Sequence, residues 1–490
     1  MRHMNVPLLI EDIKPLSIHG NKNTVIQGIT GDSRAVKTGF LFIAKKGGSY
    51  NGNDFIKQAI EKGASSILTD SFQPDLPDYI TQLITPHPAQ IEPLLAQRFF
   101  SHPSKKMEMV AITGTSGKTT TSYAIYHLLK ELGKSPGLIG TVEYIIGREH
   151  IEAIRTTPDL LSNYQMLAQM VEQGCQSAVM EVSSHALSQN RVGGIAYDIA
   201  LFTNLTHEHL DYHKTLEDYF EAKKSLFISP ERPAPKVSII NIDCPFGKKL
   251  LESQKGISFG LKEDAQLRAF NISFSEKGSS FTVSYQSEKE EFFWPLVGRF
   301  NVYNALGAIG VGLSMGASLS TLSSILRSFS PPPGRLEQVP NELSLHIYVD
   351  YAHKENALKC VLETLRECSK GSITTVFGCG GNRDREKRPK MAHTAASLSD
   401  YVIITSDNPR NEDPFDIAKE VSTGIPEGSP YTIEVDRQKA IALAIDRSKK
   451  GDVILIAGKG HEKKQSFHDK VVDFDDCFIA KKYCKTKGPK

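Results

Sequence analysis

Met109-Val110-Ala111-Ile112-Thr113-Gly114-Thr115-Ser116-Gly117-Lys118-Thr119-Thr120 is the stretch on which the reading of the fold turns. Its apolar opening reads as a buried strand. Beyond the loop, Ala124, Ile125, Leu128, Leu129 and Leu132 recur on one helical face, and Gly133 supplies the stop. Strand, glycine loop and helix start make a phosphate cradle: backbone N–H groups approach an anion, and the helix dipole favours it. The match is to a short Gly-x-x-Gly-Lys-Thr rather than the fuller P-loop spacing. In it, Lys118 reaches terminal phosphates and Thr119 offers a hydroxyl to Mg²⁺.

The 490 residues suggest about three domains. A net charge of +2 argues against a nucleic-acid surface, and Lys481, Lys482, Lys485, Lys487 and Lys490 read as a solvated tail. Seven cysteines without a Cys-x-x-Cys pair fit a reducing compartment and no structural zinc. There is no signal-peptide core and no apolar run of membrane-spanning length, so a soluble cytoplasmic chain without membrane insertion is expected.

Residues 1–103 read as a mixed α/β domain with Ser33 in an Asp-Ser-Arg turn, a strand at Phe40 to Ala44 and a turn at 45–52. Residues 101–106 read as a linker. From 104 to 332, alternating strands and helices imply a mostly parallel sheet. Polar clusters stand at Thr156-Thr157-Pro158-Asp159, at Glu181-Val182-Ser183-Ser184-His185 and at 203–211. Clusters beyond strand ends share a rim with Lys118. His207, His209 and His213 invite a zinc reading, but no cysteine accompanies them; Glu181 with one histidine suits Mg²⁺ in a phosphoryl-transfer site better.

Thr215 reads as a helix cap, after which Leu216, Tyr219, Phe220, Lys223, Leu226 and Phe227 form one stripe. Lys223 therefore points inward and Lys224 toward solvent. Spacing leaves two readings of Lys223 open: a neutral amine that adds CO₂ to give a carbamate near magnesium, or a lysine that snorkels from a helix edge.

Pro331-Pro332-Pro333-Gly334 marks a second boundary, and 333–490 repeats one arrangement four times: an apolar strand followed at once by a polar loop. The loops are Asp350-Tyr351-Ala352-His353, Gly378 to Asp384, Ser406-Asp407-Asn408-Pro409-Arg410 and Gly458-Lys459-Gly460-His461-Glu462. Arg383 and Arg410 add forks that fit carboxylates. A second sheet, its rim facing the phosphate-loop domain across a cleft, is the expected arrangement.

Taken together these motifs resemble the Mur ligases, ATP-dependent amide-forming enzymes of peptidoglycan precursor synthesis, over nearly the whole chain. The resemblance implies a UDP-binding N-terminal domain, a central P-loop ATPase domain and a C-terminal Rossmann-like α/β domain. It implies that residues Gly114 to Thr120, Asn304, Arg335 and Asp350 bind ATP. Ser33, Thr156, Thr157, Ser183, Gln189 and Arg191 match contacts to a UDP-muramoyl dipeptide. Thr119, Glu181, His209 and a carbamylated Lys223 match the Mg²⁺ site, and Lys118 is catalytic with the last three. Arg383, Asp407, Asn408, Pro409, Arg410, Gly458 and Glu462 match an amino-acid pocket. The Asp407–Arg410 loop is that of diaminopimelate-adding members; lysine-adding ones usually lack its arginine. A monomer acting on small molecules is implied. Three departures stand out: Asn382 for Asp, Glu355 for Pro, and Gly48 with Asn51 for His and Asp. A folylpolyglutamate synthetase-like ligase shares the ATPase core but not the long N-terminal domain or the arginine loop. A P-loop switch would hydrolyse ATP without forming an amide.

Overall fold

Alternate side chains of strand Phe40–Ile43 fall into two apolar clusters: Leu41 and Ile43 join Leu68, Leu83, Ile91 and Leu95, while Phe42 joins Val36, Ile56 and Ile67. Period-two burial on both faces is what a parallel sheet covered on both sides produces. The computed structural model describes residues 3–13, 17–47, 50–230 and 232–488. Gly48 and Ser49 of the expected turn, and Lys490, lie outside the described residues. The chain forms two compact units, residues 1–118 with 129–257, and residues 119–128 with 258–490.

The first unit holds a five-stranded sheet in the order Ser17–His19, Thr81–Ile84, Ala64–Thr69, Phe40–Ile43, Gly28–Thr30, parallel but for its first strand. It also holds the phosphate-loop sheet. There Pro136–Ile139, Ser177–Glu181, Glu108–Thr113, Ile199–Phe202 and Val237–Asn241 lie side by side and parallel. The hairpin Glu143–Ile146 and Glu149–Glu152 extends one edge. Register sets the site: Glu181 pairs with Ile112 and Phe202 with Thr113, so both polar clusters begin level with the glycine loop. Residues 101–106 are no bare linker. Ser101 and His102 turn left-handed, a 3₁₀ turn spans Pro103–Lys105, and Pro103 and Ser104 are buried. The reason is a shared core: Leu95 and Phe99 before the segment and Met109 and Tyr164 after it belong to one cluster.

The second unit holds a sheet in the order Glu337–Gln338, His346–Asp350, Val453–Ala457, Ile373–Phe377, Tyr401–Ile404, Tyr431–Ile433, parallel beyond its first strand. Val453, Leu455 and Ala457 face one cluster and Ile454 and Ile456 the other, the signature of helices on both sides. The lysine-rich C-terminus is a helix, Asp476–Lys487, docked through Ala480 and Cys484, with Lys481, Lys482 and Lys485 exposed. No helix among the described residues is long and apolar enough to cross a membrane.

One buried ion pair fixes where the second sheet's loops begin. Arg437 donates to Asp476 at 2.8 and 2.7 Å and to the carbonyl of Ala457 at 3.0 Å, and both side chains are fully buried. Removing one partner leaves a buried charge uncompensated. Asp476→Ala is expected to destabilise this unit by about 3–5 kcal/mol in urea unfolding, and an unchanged midpoint would contradict that role.

Candidate active site

Gly114 has φ +146°, and a Cβ there would sit 1.9 Å from Thr203 Oγ1, so no other residue fits. Gly117 is also left-handed. Residues 203–206 brace the loop. Thr115 N–H donates to Asn204 O at 2.8 Å, Ser116 N–H to Asn204 Oδ1 at 2.9 Å, and Thr203 Oγ1 to Ser116 O at 2.7 Å. Lys118 Nζ donates to the carbonyls of Gly114 and Thr115 at 2.9 and 2.8 Å. Lys223 Nζ donates to the same Gly114 carbonyl at 2.8 Å.

Lys223 reaches that point because Thr215 caps helix Leu216–Lys224, accepting the Asp218 N–H at 3.0 Å, and so sets the inward stripe. Lys223 is 1% exposed, and its Nζ lies 4.5 Å from the centroid of the Tyr219 ring, whose hydroxyl meets Thr115 Oγ1 at 3.1 Å. Burial pushes the Lys223 amine well below the ordinary lysine pKa; the charge of Lys118 pushes the same way and Glu208 opposes. Lys224 is half-buried rather than fully in solvent.

Glu181 is fully buried and its carboxylate accepts from Thr141 N–H and Thr141 Oγ1 at 2.9 and 2.8 Å. Thr156 Oγ1 lies 3.1 Å from Thr141 Oγ1. Thr157 Oγ1 donates to Glu181 O at 2.8 Å and accepts Ser183 N–H at 3.1 Å. Arg191 donates to Thr157 O at 3.0 Å and to Gln189 Oε1. Thr156, Thr157, Ser183, Gln189 and Arg191 thus form one patch continuous with Glu181. Ser33 does not join it: it is buried at the start of the 3₁₀ turn Ser33–Ala35, with Oγ donating to Gln58 at 2.6 Å. His209 is left-handed at φ +58°, its ring 4.9 Å from that of His185 and 5.9 Å from that of Tyr219. Among the described residues no three His, Cys, Asp or Glu side chains cluster as a metal cage. Mg²⁺ needs none, because one or two carboxylates complete its shell with phosphate oxygens and water, and the pre-oriented Glu181 carboxylate suits that.

In the second unit, Thr119 and Thr120 are buried, Arg335 Nη2 lies 3.4 Å from Thr119 Oγ1, and Thr121 Oγ1 lies 3.4 Å from Asn304 Oδ1. Asp350 accepts the N–H groups of Leu336 and Ala352 at 2.8 Å each. Burial pushes its carboxyl up, against Arg335 and those two donors. The remaining loops converge at the strand ends. Asn408 Nδ2 donates to Glu462 Oε2 at 2.8 Å, Arg410 Nη1 to Gly381 O at 2.8 Å, and a Cβ on Gly381 would lie 1.8 Å from Pro409 O. Gly458, left-handed, brings its backbone against Asp407, whose Oδ2 a Cβ would approach to 2.8 Å. Arg383 is exposed, and neither it nor Arg410 meets a carboxylate among the described residues.

The departures keep their local jobs. Asn51 caps a 3₁₀ turn by accepting the Asn53 N–H, as an aspartate would. Asn382 is left-handed at φ +52°, a conformation Asn tolerates, and accepts the Asn411 N–H at 3.1 Å. Glu355 opens helix Glu355–Cys368, where an acid suits the dipole as Pro suits the first-turn geometry. Two residues escaped the sequence reading. Arg388, fully buried, donates to Glu412 and Glu420, and nothing in the sequence distinguishes it from a surface helix arginine. Lys459 is also fully buried; its signal was a charge between glycines directly after an all-apolar strand.

His353 and His461 flank Tyr351, with ring centroids at 4.7 and 5.0 Å. Burial pushes each down to about 4 from an ordinary 6.5; Lys387 and Lys354 add to this at His353, and Arg335 and Lys459 at His461. Both are neutral in the folded chain, whereas the unfolded chain takes up protons near 6.5, so stability is complete above that pH and is lost as pH falls toward 4. The urea midpoint is expected to drop between pH 7 and pH 5, and less so in H353Q/H461Q; equal slopes would contradict it.

Three family models match: "Mur ligase middle domain" over residues 112–312, "Mur ligase, glutamate ligase domain" over 334–460 and "Mur ligase family, catalytic domain" over 25–87. Among curated proteins, the UDP-N-acetylmuramoyl-L-alanyl-D-glutamate–2,6-diaminopimelate ligase of Geobacillus thermodenitrificans is 38% identical over 99% of this chain and 100% of its own. That of Bacillus licheniformis is 40% identical over 95% and 96%. A solved structure of a ligase with the same name superposes with a TM-score of 0.71 at 29% identity, covering 99% of each chain. The chain belongs to the Mur ligase family.

Proposed function

We propose that this chain is an ATP-dependent ligase joining meso-2,6-diaminopimelate to the D-glutamate carboxylate of UDP-N-acetylmuramoyl-L-alanyl-D-glutamate in peptidoglycan precursor synthesis. The observation that carries the choice of amine donor is the pair Arg383 and Arg410, two guanidiniums at one sheet rim that meet no carboxylate among the described residues. Diaminopimelate brings one carboxylate more than lysine does, and a guanidinium fork is its natural partner.

The phosphate loop and Lys118 hold the ATP phosphates. The γ-phosphoryl passes to the D-glutamate carboxylate as an acyl phosphate. The neutral amine of diaminopimelate then attacks the acyl carbon, and phosphate leaves from the tetrahedral intermediate. Glu181, Thr119 and His209 would hold Mg²⁺, which when bound would neutralise charge on the phosphates. Lys223, once its neutral amine has added CO₂ and released a proton, would offer the resulting carbamate's carboxylate to that site; its burial beside Lys118 favours the neutral amine such an addition needs. Thr156, Thr157, Ser183, Gln189 and Arg191 hold the UDP-muramoyl dipeptide, with Ser33 on the UDP side. Asn304, Arg335 and Asp350 hold the nucleotide. In this reading residues 1–103, 104–332 and 333–490 are the UDP, ATP and amino-acid domains of a cytoplasmic monomer.

The test supplies the purified chain with ATP, Mg²⁺ and the UDP-dipeptide. Amide formation with meso-diaminopimelate is expected, with kcat/KM for lysine lower by roughly 100-fold or more, a gap that R410A narrows. ADP and phosphate released with no amide would point to a switch instead; equal use of lysine would overturn the assignment of the donor.

A further inference from the structure

Lys459 is a lysine with no exposed surface, lying between glycines at the end of strand Val453–Ala457. Its Nζ donates to the carbonyl of Lys464 at 2.6 Å, and lies 3.3 Å from both Asn408 Oδ1 and Glu462 Oε2. Those acceptors come from three separate segments: the hairpin strand Lys464–Ser466, the Asp407–Arg410 loop, and the loop that carries Lys459 itself. The three are stitched further. Asn408 Nδ2 donates to Glu462, Ser466 N–H to Asn408 Oδ1 at 2.9 Å, Gln465 Nε2 to Asp407 O at 2.7 Å, and Arg410 N–H to Ser466 O at 3.0 Å.

A buried ammonium with three acceptors is costly to place and strongly directional once placed. It shares one oxygen of the Glu462 carboxylate, Oε2, with Asn408 Nδ2, so two donors fix that oxygen, and it ties down the hairpin on which the Arg410 backbone rests. We infer that Lys459 is a positioning residue for the amino-acid pocket, holding Glu462, Asn408 and, through the hairpin, Arg410 in the arrangement that reads the amine donor. This rests on the ligase reading above.

Steady-state kinetics of the full chain test it. K459M keeps the stem's packing and removes the ammonium. The KM for meso-diaminopimelate is expected to rise about ten- to hundredfold, while those for ATP and the UDP-dipeptide stay within about twofold. K459R, which keeps charge and donors, is expected to bring that KM back toward wild type, a rescue that lost packing alone would not allow. K459Q, shorter but still a donor, covers the case in which K459M does not fold, and is expected to show the same split. An equal rise in all three KM values, or an unchanged KM for meso-diaminopimelate in a folded variant, overturns the role of Lys459. A wild-type chain that forms no amide overturns the ligase reading itself, so the two failures are distinguishable.

Discussion

The carbonyl oxygen of Gly114 accepts from two lysines at once, Lys118 at 2.9 Å and Lys223 at 2.8 Å. That geometry places two amines within about 6 Å of each other, one of them with almost no exposure to water. Two ammonium charges so placed are unfavourable, and the cost falls on the buried one. The helix lysine is driven toward the neutral form, by burial first and by the charge of Lys118 second. The chemistry proposed for the first unit follows from this sharing: a cation for the nucleotide beside an amine reactive toward CO₂.

The sharing depends on features that hold the loop rather than the lysines. Gly114 must lack a side chain because Thr203 stands against it, and Thr203 and Asn204 stand there because strand Ile199–Phe202 runs parallel to the phosphate-loop strand in a fixed register. The same register on the other side delivers Glu181. In the second unit parallel strands again deliver loops to one rim, but there the groups proposed to bind the amino acid are held by other loops. Arg410, Asn382 and Gly458 are left-handed, and each meets a neighbouring loop through a backbone or side-chain contact. Left-handed non-glycine residues such as Arg410 and Asn382, gathered at one rim, are strain that the surrounding contacts maintain.

Much of this was legible in the sequence where one element's own periodicity carried it. Lys223 could be turned inward by counting from Thr215, and the four strand-loop repeats gave the second sheet, since both rest on local spacing. The family resemblance supplied residue roles that spacing had left open, above all for Lys223. What stayed hidden depends on contacts between segments distant in the chain. The ammonium of Lys459 is defined by Asn408 and Lys464, the guanidinium of Arg388 by Glu412 and Glu420, and the buried turn at Pro103 by a core shared across it. Ser33 shows the converse: its position near a turn was clear, but that its hydroxyl is directed to Gln58 is a matter of packing.

The most direct measurement of the central claim is carbon-13 NMR of the intact chain equilibrated with labelled bicarbonate at neutral pH. A buried Lys223 pushed toward its neutral form beside Lys118 predicts one protein-bound carbamate resonance that disappears in Lys223→Ala together with ligation. A spectrum with no such resonance in an active wild-type enzyme, or one unchanged by Lys223→Ala, would contradict it.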